Sequence, residues 1–272
     1  MRTAVICHAD NVWNRGVVPR FLSSFSDLVG IVEIVETPAE ARADRRRRIR
    51  REWRRSRLRL LDVLAFRLWY RLRHAARDAA WIEARAAAEQ ARFPELPPDL
   101  PVHRTADPND DGVRAWLEQQ RPDVVLVACK HILRPEIFSV PARGTFVVHP
   151  GICPEYRNAH GCFWALALRD LEKVGATLLR IDAGVDTGPV HAHYRTEVDE
   201  LRESHVVIQL RVVYDNLHAI RADLERIGAG EAQPLDTAGR ESAAWGQPRL
   251  TDYVRWKRAA RSSRKNAAIR AS

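Results

Sequence analysis

Residues 144–161 read GTFVVHPGICPEYRNAHG, and the architecture of the chain can be worked outward from them. Thr145 to Val148 form an apolar, β-branched run that suits a buried strand. His149 ends the run, and Pro150-Gly151 stops the ladder and turns the backbone. A helix-forming segment, HGCFWALALRDL, follows the loop. Strand, loop and helix in that order is the repeating unit of a sheet with helical crossovers.

The same unit recurs on both sides. Upstream, VVLVAC is a buried strand followed by KHILRPEIFS, and before it LPVHRT and the helix DDGVRAWLEQQ. At the start of the chain TAVICHA reads as a strand, DNVWNRG as its loop, VVPRFLSSF as a helix and LVGIVEIVE as a second strand. Downstream, VGATLLRID and GPVHAHYRTEV are strands flanking the loop AGVDT. SHVVIQLRVVYDNLHAIRADLERIG then reads as one long helix, with Ser204 as N-cap and Gly228 near its end. The expected fold over 1–230 is therefore α/β and Rossmann-like, a mostly parallel sheet with helices on both faces.

Composition interrupts this pattern in two places. Between the second strand and LPVHRT, over about 40–92, the chain is helix-forming and dense in arginine. Leu58, Leu61, Leu64, Ala65, Leu68 and Leu72 fall there at helical spacing, which predicts one or two amphipathic helices as an insertion. Residues 231–272 read as a short basic extension. Its tryptophans would dock WGQPRLTDYVRWKR, and its end, AARSSRKNAAIRAS, is expected to be disordered.

With 272 residues, 46% of them hydrophobic, the chain can bury a sizeable core. Its formal charge of +9 suits an anionic partner without choosing one. Cys7, Cys129, Cys153 and Cys162 show neither a CxxC pair nor zinc-ligand spacing, so four reduced thiols and no metal are expected. MRTAVICHADN turns polar too early for a signal peptide, and no apolar run approaches the roughly 18 residues that cross a bilayer. A soluble cytoplasmic protein that makes no use of a membrane is the expectation.

Ligands of open α/β sheets bind beyond the carboxyl ends of the strands, which directs attention to the loops near His8, Lys130, His149 and Asp182. The first lacks G-x-G-x-x-G and a P-loop, against a dinucleotide or nucleoside triphosphate. In the last, RIDAGVDTGP offers Asp182 and Asp186 among glycines. A carboxylate beside a histidine fixes its tautomer and favours its protonated form, as general acid–base work requires. On spacing alone, a structural histidine and ordinary turn chemistry are the commoner readings of these residues, and the class of enzyme stays open.

Together these stretches resemble the folate-dependent formyltransferase family. Its members carry a strand ending in Asn-x-His-Pro, a Leu-Pro-x-Tyr-Arg-Gly-like loop, a helix opening with Trp-Ala, a Gly-x-Thr strand and an Asp-x-Gly-Pro loop. The counterparts here are VVHPGICPEYRNAHGCFWAL, VGATLLRID and GVDTGPV, in the same order, and PDVVLVACKHILRPEIFSVPARGT matches the preceding strand and loop. The resemblance implies His149 as catalytic histidine and Asp186 as catalytic aspartate. It implies a pterin pocket that includes His131, Ile132 and Leu133. A folate-binding loop of Asp182, Ala183, Gly184 and Val185 would lie opposite, and His160 would stand near the acceptor amine. The implied co-substrate is 10-formyltetrahydrofolate, and the implied activity is one-carbon transfer by a transferase.

One position departs from the pattern. Where the family has asparagine, which helps hold the formyl oxygen, this chain has Val147. Asn158 or His160 could substitute as a loop donor, a different one-carbon or acyl group could be transferred, or the protein could bind without efficient transfer. The first loop lacks a phosphate nest, which counts against a purine-synthesis acceptor, and the stretch after the long helix is too poor in strands for the barrel of the methionyl-tRNA enzymes. The acceptor expected is a small-molecule amine of specialised metabolism, anionic or carrier-bound. For the arginine-rich insertion, a solvated helix face packed on the core or on a second subunit of a homodimer outweighs a clamp for an anionic acceptor, and nucleic acid ranks lower. A non-catalytic binding protein that uses the insertion for RNA or a protein partner is the rival reading.

Overall fold

The structure, a computed structural model, describes residues 1–271, with side chains described except at 38, 40, 41, 44, 45, 48, 51, 52, 55 and 267–271. In chain order, β1 is Arg2–His8, α1 Val18–Ser23 and β2 Asp27–Ile34. Three helices follow, α2 Pro38–Arg55, α3 Arg57–Arg73 and α4 Ala75–Arg92. Then come β3 Val102–Thr105, α5 Asp111–Gln120, β4 Val124–Ala128, α6 Pro135–Phe138 and β5 Gly144–His149. β6 Arg157–Asn158, α7 Gly161–Ala167, β7 Gly175–Arg180 and β8 Val190–Arg195 complete the sheet region. The chain ends with α8 His205–Tyr214, α9 Leu217–Ala229, β9 Ala244–Trp245 and α10 Leu250–Ala271.

Seven strands form one sheet in the order β3-β2-β1-β4-β5-β7-β8. The pairs from β3 through β5 are parallel, whereas β5–β7 and β7–β8 are antiparallel. Side-chain alternation along the strands builds two cores. Val5, Cys7, Ile31, Leu126, Phe146 and Leu178 face one side of the sheet, with α1, α7, α8 and α9 supplying Leu22, Phe163, Ile208 and Leu224. Ala4, Ile6, Val32, Ile34, Val125 and Val127 face the other, covered by Val113 and Leu117 of α5 and Ile137 of α6. Helices thus lie on both faces, as expected. Strand order reverses direction between β1 and β4, the position at which such sheets open a crevice.

Three elements differ from the sequence reading. The insertion is three helices, and the face of α3 that packs inward carries Leu60, Val63 and Phe66. The leucines at helical spacing turn outward: Leu58, Leu61, Leu64, Leu68 and Leu72 are all exposed. α3 is apolar nearly all round, so periodicity allowed two solutions. The aromatic side won, because Phe66 meets Phe163, His205 and Tyr253. The electropositive clamp, the less favoured reading of the insertion, falls partly on Arg45, Arg48, Arg51 and Arg55, whose side chains lie outside the described residues.

The single long helix expected after Ser204 is two, α8 and α9, broken at Asp215–Asn216 and ended by Gly230 with a left-handed backbone. Ser204 does cap α8, its side chain accepting from the Val207 amide at 3.2 Å. The end expected to be disordered is the distal part of α10, with Ser272 outside the described residues. Tyr253, Trp256 and Ala260 bury the first turns of α10, and the Ala-, Arg- and Lys-rich remainder propagates from that docked nucleus. No helix among the described residues is long and apolar enough to cross a membrane.

Candidate active site

The carboxyl ends of β1, β4 and β5 open into a cavity of about 1020 Å³. Its lining is largely apolar, from Leu126, Val147, Val148 and Leu179 of the sheet to Val206, Leu210 and Val213 of α8, and Ile82 of α4 closes one side. The insertion therefore contributes to the cavity wall. Trp13, in a π-helical turn at Val12–Val17, stacks on Tyr214 with ring centroids 3.6 Å apart and fixes the opposite lip.

His149 closes β5 and is almost fully buried. Its Nε2 lies 2.9 Å from the Tyr156 carbonyl oxygen. A carbonyl only accepts, so Nε2 carries the proton, and Nδ1 is the nitrogen left to work. Nδ1 stands 3.5 Å from Asp186 Oδ2. Gly151 makes this loop closure possible, because a Cβ there would come within 2.4 Å of the Tyr156 oxygen and 2.7 Å of His149 Nε2. Gly161 serves the same crossing, since its own Cβ would lie 2.6 Å from the Gly151 Cα.

Asp186 is held as firmly. It has a left-handed backbone, φ 51°, and its Oδ2 accepts from the Asn158 amide at 2.8 Å. Asp182 Oδ1 accepts from the Gly184 amide at 2.9 Å and the Thr187 hydroxyl at 2.7 Å, which rounds the loop between them. Arg157 donates to the Val185 carbonyl at 2.9 Å. The loop is thus tied to β6, and β6 is tied to the tail by its pairing with β9. Trp245 stacks on Tyr156 and Trp164, and its Nε1 donates to the Glu155 carbonyl at 2.8 Å. Residues 244–246, expected as part of an appended extension, brace the site directly.

The remaining expected residues divide. Asp182, Gly184 and Val185 line the cavity, as do Ile132 and Leu133. Asn158 lines it too, but one N–H of its side chain is taken by the Trp245 carbonyl at 2.7 Å. His160 does not face the cavity. It caps α7 with a left-handed backbone, its ring 5.8 Å from that of His205, and burial pushes its pKa down to about 4. Val147 joins the cluster of Cys153, Leu179 and Val190, so the family's asparagine position is apolar in its surroundings as well as in itself. All four cysteines are free, and burial pushes the Cys7, Cys153 and Cys162 thiols up to about 12 and that of Cys129 to about 11.

The expectation of no metal ligands rested on cysteine spacing, and the structure brings together a set that spacing could not show. His8, Glu36 and His131 offer ligand atoms that all lie within 4.8 Å of one another at the β1–β4 end of the same cavity. Burial, then the Lys130 ammonium, holds His8 below the ordinary imidazole range.

Residues 78–220 match the model of the formyl transferase family. The chain belongs to that family. Among curated relatives it is 30% identical over 181 residues to a methionyl-tRNA formyltransferase of Chlorobium chlorochromatii, covering 66% of this chain and 53% of that protein. It is 34% identical over 188 residues to the enzyme of Sorangium cellulosum, covering 66% and 57%. The chain thus spans about half the length of the curated relatives it matches. Among solved structures, a phosphoribosylglycinamide formyltransferase of Anaplasma phagocytophilum superposes with TM-score 0.55 at 12% identity, over 91% of this chain and 99% of that one. A sugar N-formyltransferase from a Shewanella species gives 0.55 at 10% identity, over 95% and 87%. At such identities the agreement is one of fold. The family region contains β5 with His149 and the loop of Asp182 and Asp186, but neither His8 nor Glu36.

Proposed function

We propose that this chain transfers a formyl group from 10-formyltetrahydrofolate to the amine of a small or carrier-borne acceptor. The observation that carries the reading is the His149 Nδ1–Asp186 Oδ2 approach of 3.5 Å, in the wall of a cavity large enough for a folate, within the region the family model matches. Attack of the amine on the formyl carbon forms a C–N bond and a tetrahedral oxyanion. The amine must then lose a proton, and the departing folate nitrogen must gain one. His149 suits that transfer. Its Nε2–H is anchored on Tyr156, so a proton at Nδ1 can pass between the cavity and the reacting nitrogens while Asp186 holds the ring.

The oxyanion is less well served. Val147 offers no donor, and the Asn158 side chain is partly committed to Trp245. Loss of one such donor costs about 100- to 1,000-fold in turnover, so a slow enzyme is expected. The acceptor side has no phosphate nest, and the basic net charge favours an anionic amine. An amine borne on tRNA is a second reading, favoured by the activity for which the curated relatives are named.

Calorimetric titration with a stable formyl-folate analogue tests the donor. Micromolar binding is expected from the native protein, and Asp182→Ala, which frees Gly184 and Thr187 and unties the loop, should weaken it more than tenfold. A native protein that binds no analogue would sink the proposal.

A further inference from the structure

His149 and Asp186 leave one end of the cavity chemically unexplained. His8 ends β1 at the point where the strand order reverses, and the pairing registers of its two neighbours bring the other residues to it. His8 lies opposite Ile34 of β2, two residues before Glu36. Cys7 lies opposite Ala128 of β4, three residues before His131. Three adjacent parallel strands thus deliver two imidazoles and a carboxylate to one spot.

Their polar atoms are not satisfied there. His8 Nε2, His131 Nδ1 and Glu36 Oε1 are each buried without a hydrogen-bond partner among the described residues. His131 Nε2 stands 3.7 Å from Glu36 Oε1, too far for a hydrogen bond, and the two imidazole rings lie 5.2 Å apart. One bare buried polar atom is a common blemish. Three, on residues that follow three adjacent strands and whose ligand atoms stand within 4.8 Å of one another, amount to a donor set without its acceptor. An ion pair between His131 and Glu36 would still leave His8 Nε2 and His131 Nδ1 bare.

We propose that His8, Glu36 and His131 bind a first-row divalent cation, zinc in the first instance, with an open coordination position toward the cavity. Two imidazoles and one carboxylate select this class, because calcium and magnesium take oxygen ligands almost throughout. Ligand atoms of tetrahedral zinc stand roughly 3.4 Å apart, so a set within 4.8 Å has to draw in by only about 1 Å to close on an ion. Lys130 is the evident objection, since its ammonium adds positive charge nearby. It lies 2.8 Å from Glu36 Oε2, however, and so orients the carboxylate with Oε1 toward the imidazoles. Asp10, in the same wall, offsets its charge. With three protein ligands, the fourth position is left for water or an oxygen-bearing anionic group entering from the cavity. That would place positive charge at the end of the cavity where the loop after β1 has no phosphate nest.

The test needs neither folate nor acceptor, so its outcome is independent of the formyl-transfer reading. Tag-free protein is stripped with a chelator and titrated with Zn²⁺ by calorimetry and with Co²⁺ by visible absorption. The native chain should bind one equivalent of either ion, with a cobalt spectrum of low coordination number. His8→Ala, Glu36→Gln and His131→Ala should each weaken binding at least 100-fold, while His218→Ala, at an exposed imidazole, leaves it unchanged. Melting temperatures of the metal-free variants identify any that fail to fold. Glu36→Gln, nearly isosteric, carries the test if the histidine variants do fail. Absence of saturable binding, or binding that Glu36→Gln and the folded histidine variants leave intact, overturns the proposal.

Discussion

The two ends of one cavity hold similar side chains in opposite states. At the β5 end, His149 and Asp186 are engaged: Tyr156 takes Nε2, the Asn158 amide takes Asp186 Oδ2, and the remaining approach joins the two residues. At the β1 end, His8, Glu36 and His131 bring ligand atoms within 4.8 Å of one another, with three polar atoms bare among the described residues. In the proposed transfer, a histidine held on both sides moves a proton in a fixed direction. A histidine with a bare nitrogen beside another and a carboxylate awaits a third body. The partners of the imidazole, more than its presence, assign its chemistry.

The largest expected effect tests the engaged end. Asp186→Asn keeps an acceptor for the Asn158 amide and tolerates the left-handed backbone, so its melting temperature should stay near native. His149→Ala strands the Tyr156 carbonyl and should cost about 1–3 kcal/mol of stability. Formyl release from 10-formyltetrahydrofolate, with hydroxylamine as surrogate amine, should fall about 100- to 10,000-fold in His149→Ala, with a smaller fall in Asp186→Asn. Turnover within a few-fold of native in both would mean that this end only binds.

His160 sharpens the comparison, because among the described residues its Nδ1 is also bare and yet no carboxylate joins it in a ligand-like group. It faces His205, Gln209, Arg67 and Gln247, and burial pushes its pKa down to about 4. An ordinary imidazole titrates near 6.5, so between 6.5 and 4 the unfolded chain binds more protons than the folded one. Stability therefore falls as pH falls through that window, by ~2 kcal/mol at pH 5 from this residue. His205, held well below the ordinary range by burial, adds to the slope. Melting curves at pH 7 and pH 5 should show the loss. His160→Asn, neutral throughout and tolerant of positive φ, should reduce it; an unchanged slope would mean that the ring is solvated.

What the sequence made legible follows how local each signal is. The strands were readable because runs such as Val124–Ala128 are buried on both faces and need no partner to be recognised. His149 and Asp186 were readable only through the order of several motifs. The inward face of α3 was not, because apolar residues ring that helix and only the aromatic contacts of Phe66 decide between faces. The break between α8 and α9 carries no proline or glycine. There Asn216 spends its side-chain amide on the Arg195 and Val212 carbonyls, a tertiary choice. His8, Glu36 and His131 were illegible for the plainest reason. Nothing in their spacing records that β1 pairs with β2 on one side and β4 on the other.

Val147 yields the smallest effect and bears most directly on chemistry. It lies two residues before His149 on β5 and so shares its face, at the position from which the family's asparagine reaches the formyl oxygen. Cys153, Leu179 and Val190 surround it, so an asparagine would exchange some apolar packing for a donor at the cavity wall. The balance should be a gain, but a modest one. An added donor lacks the supporting hydrogen bonds that preorganise a native one, and only preorganised donors deliver the full electrostatic effect. Val147→Asn should therefore raise formyl release about tenfold or less, while the melting temperature drops slightly. If turnover falls instead, another group, Asn158 with its remaining N–H foremost, already occupies the oxyanion's side of the site, and the valine makes room for it.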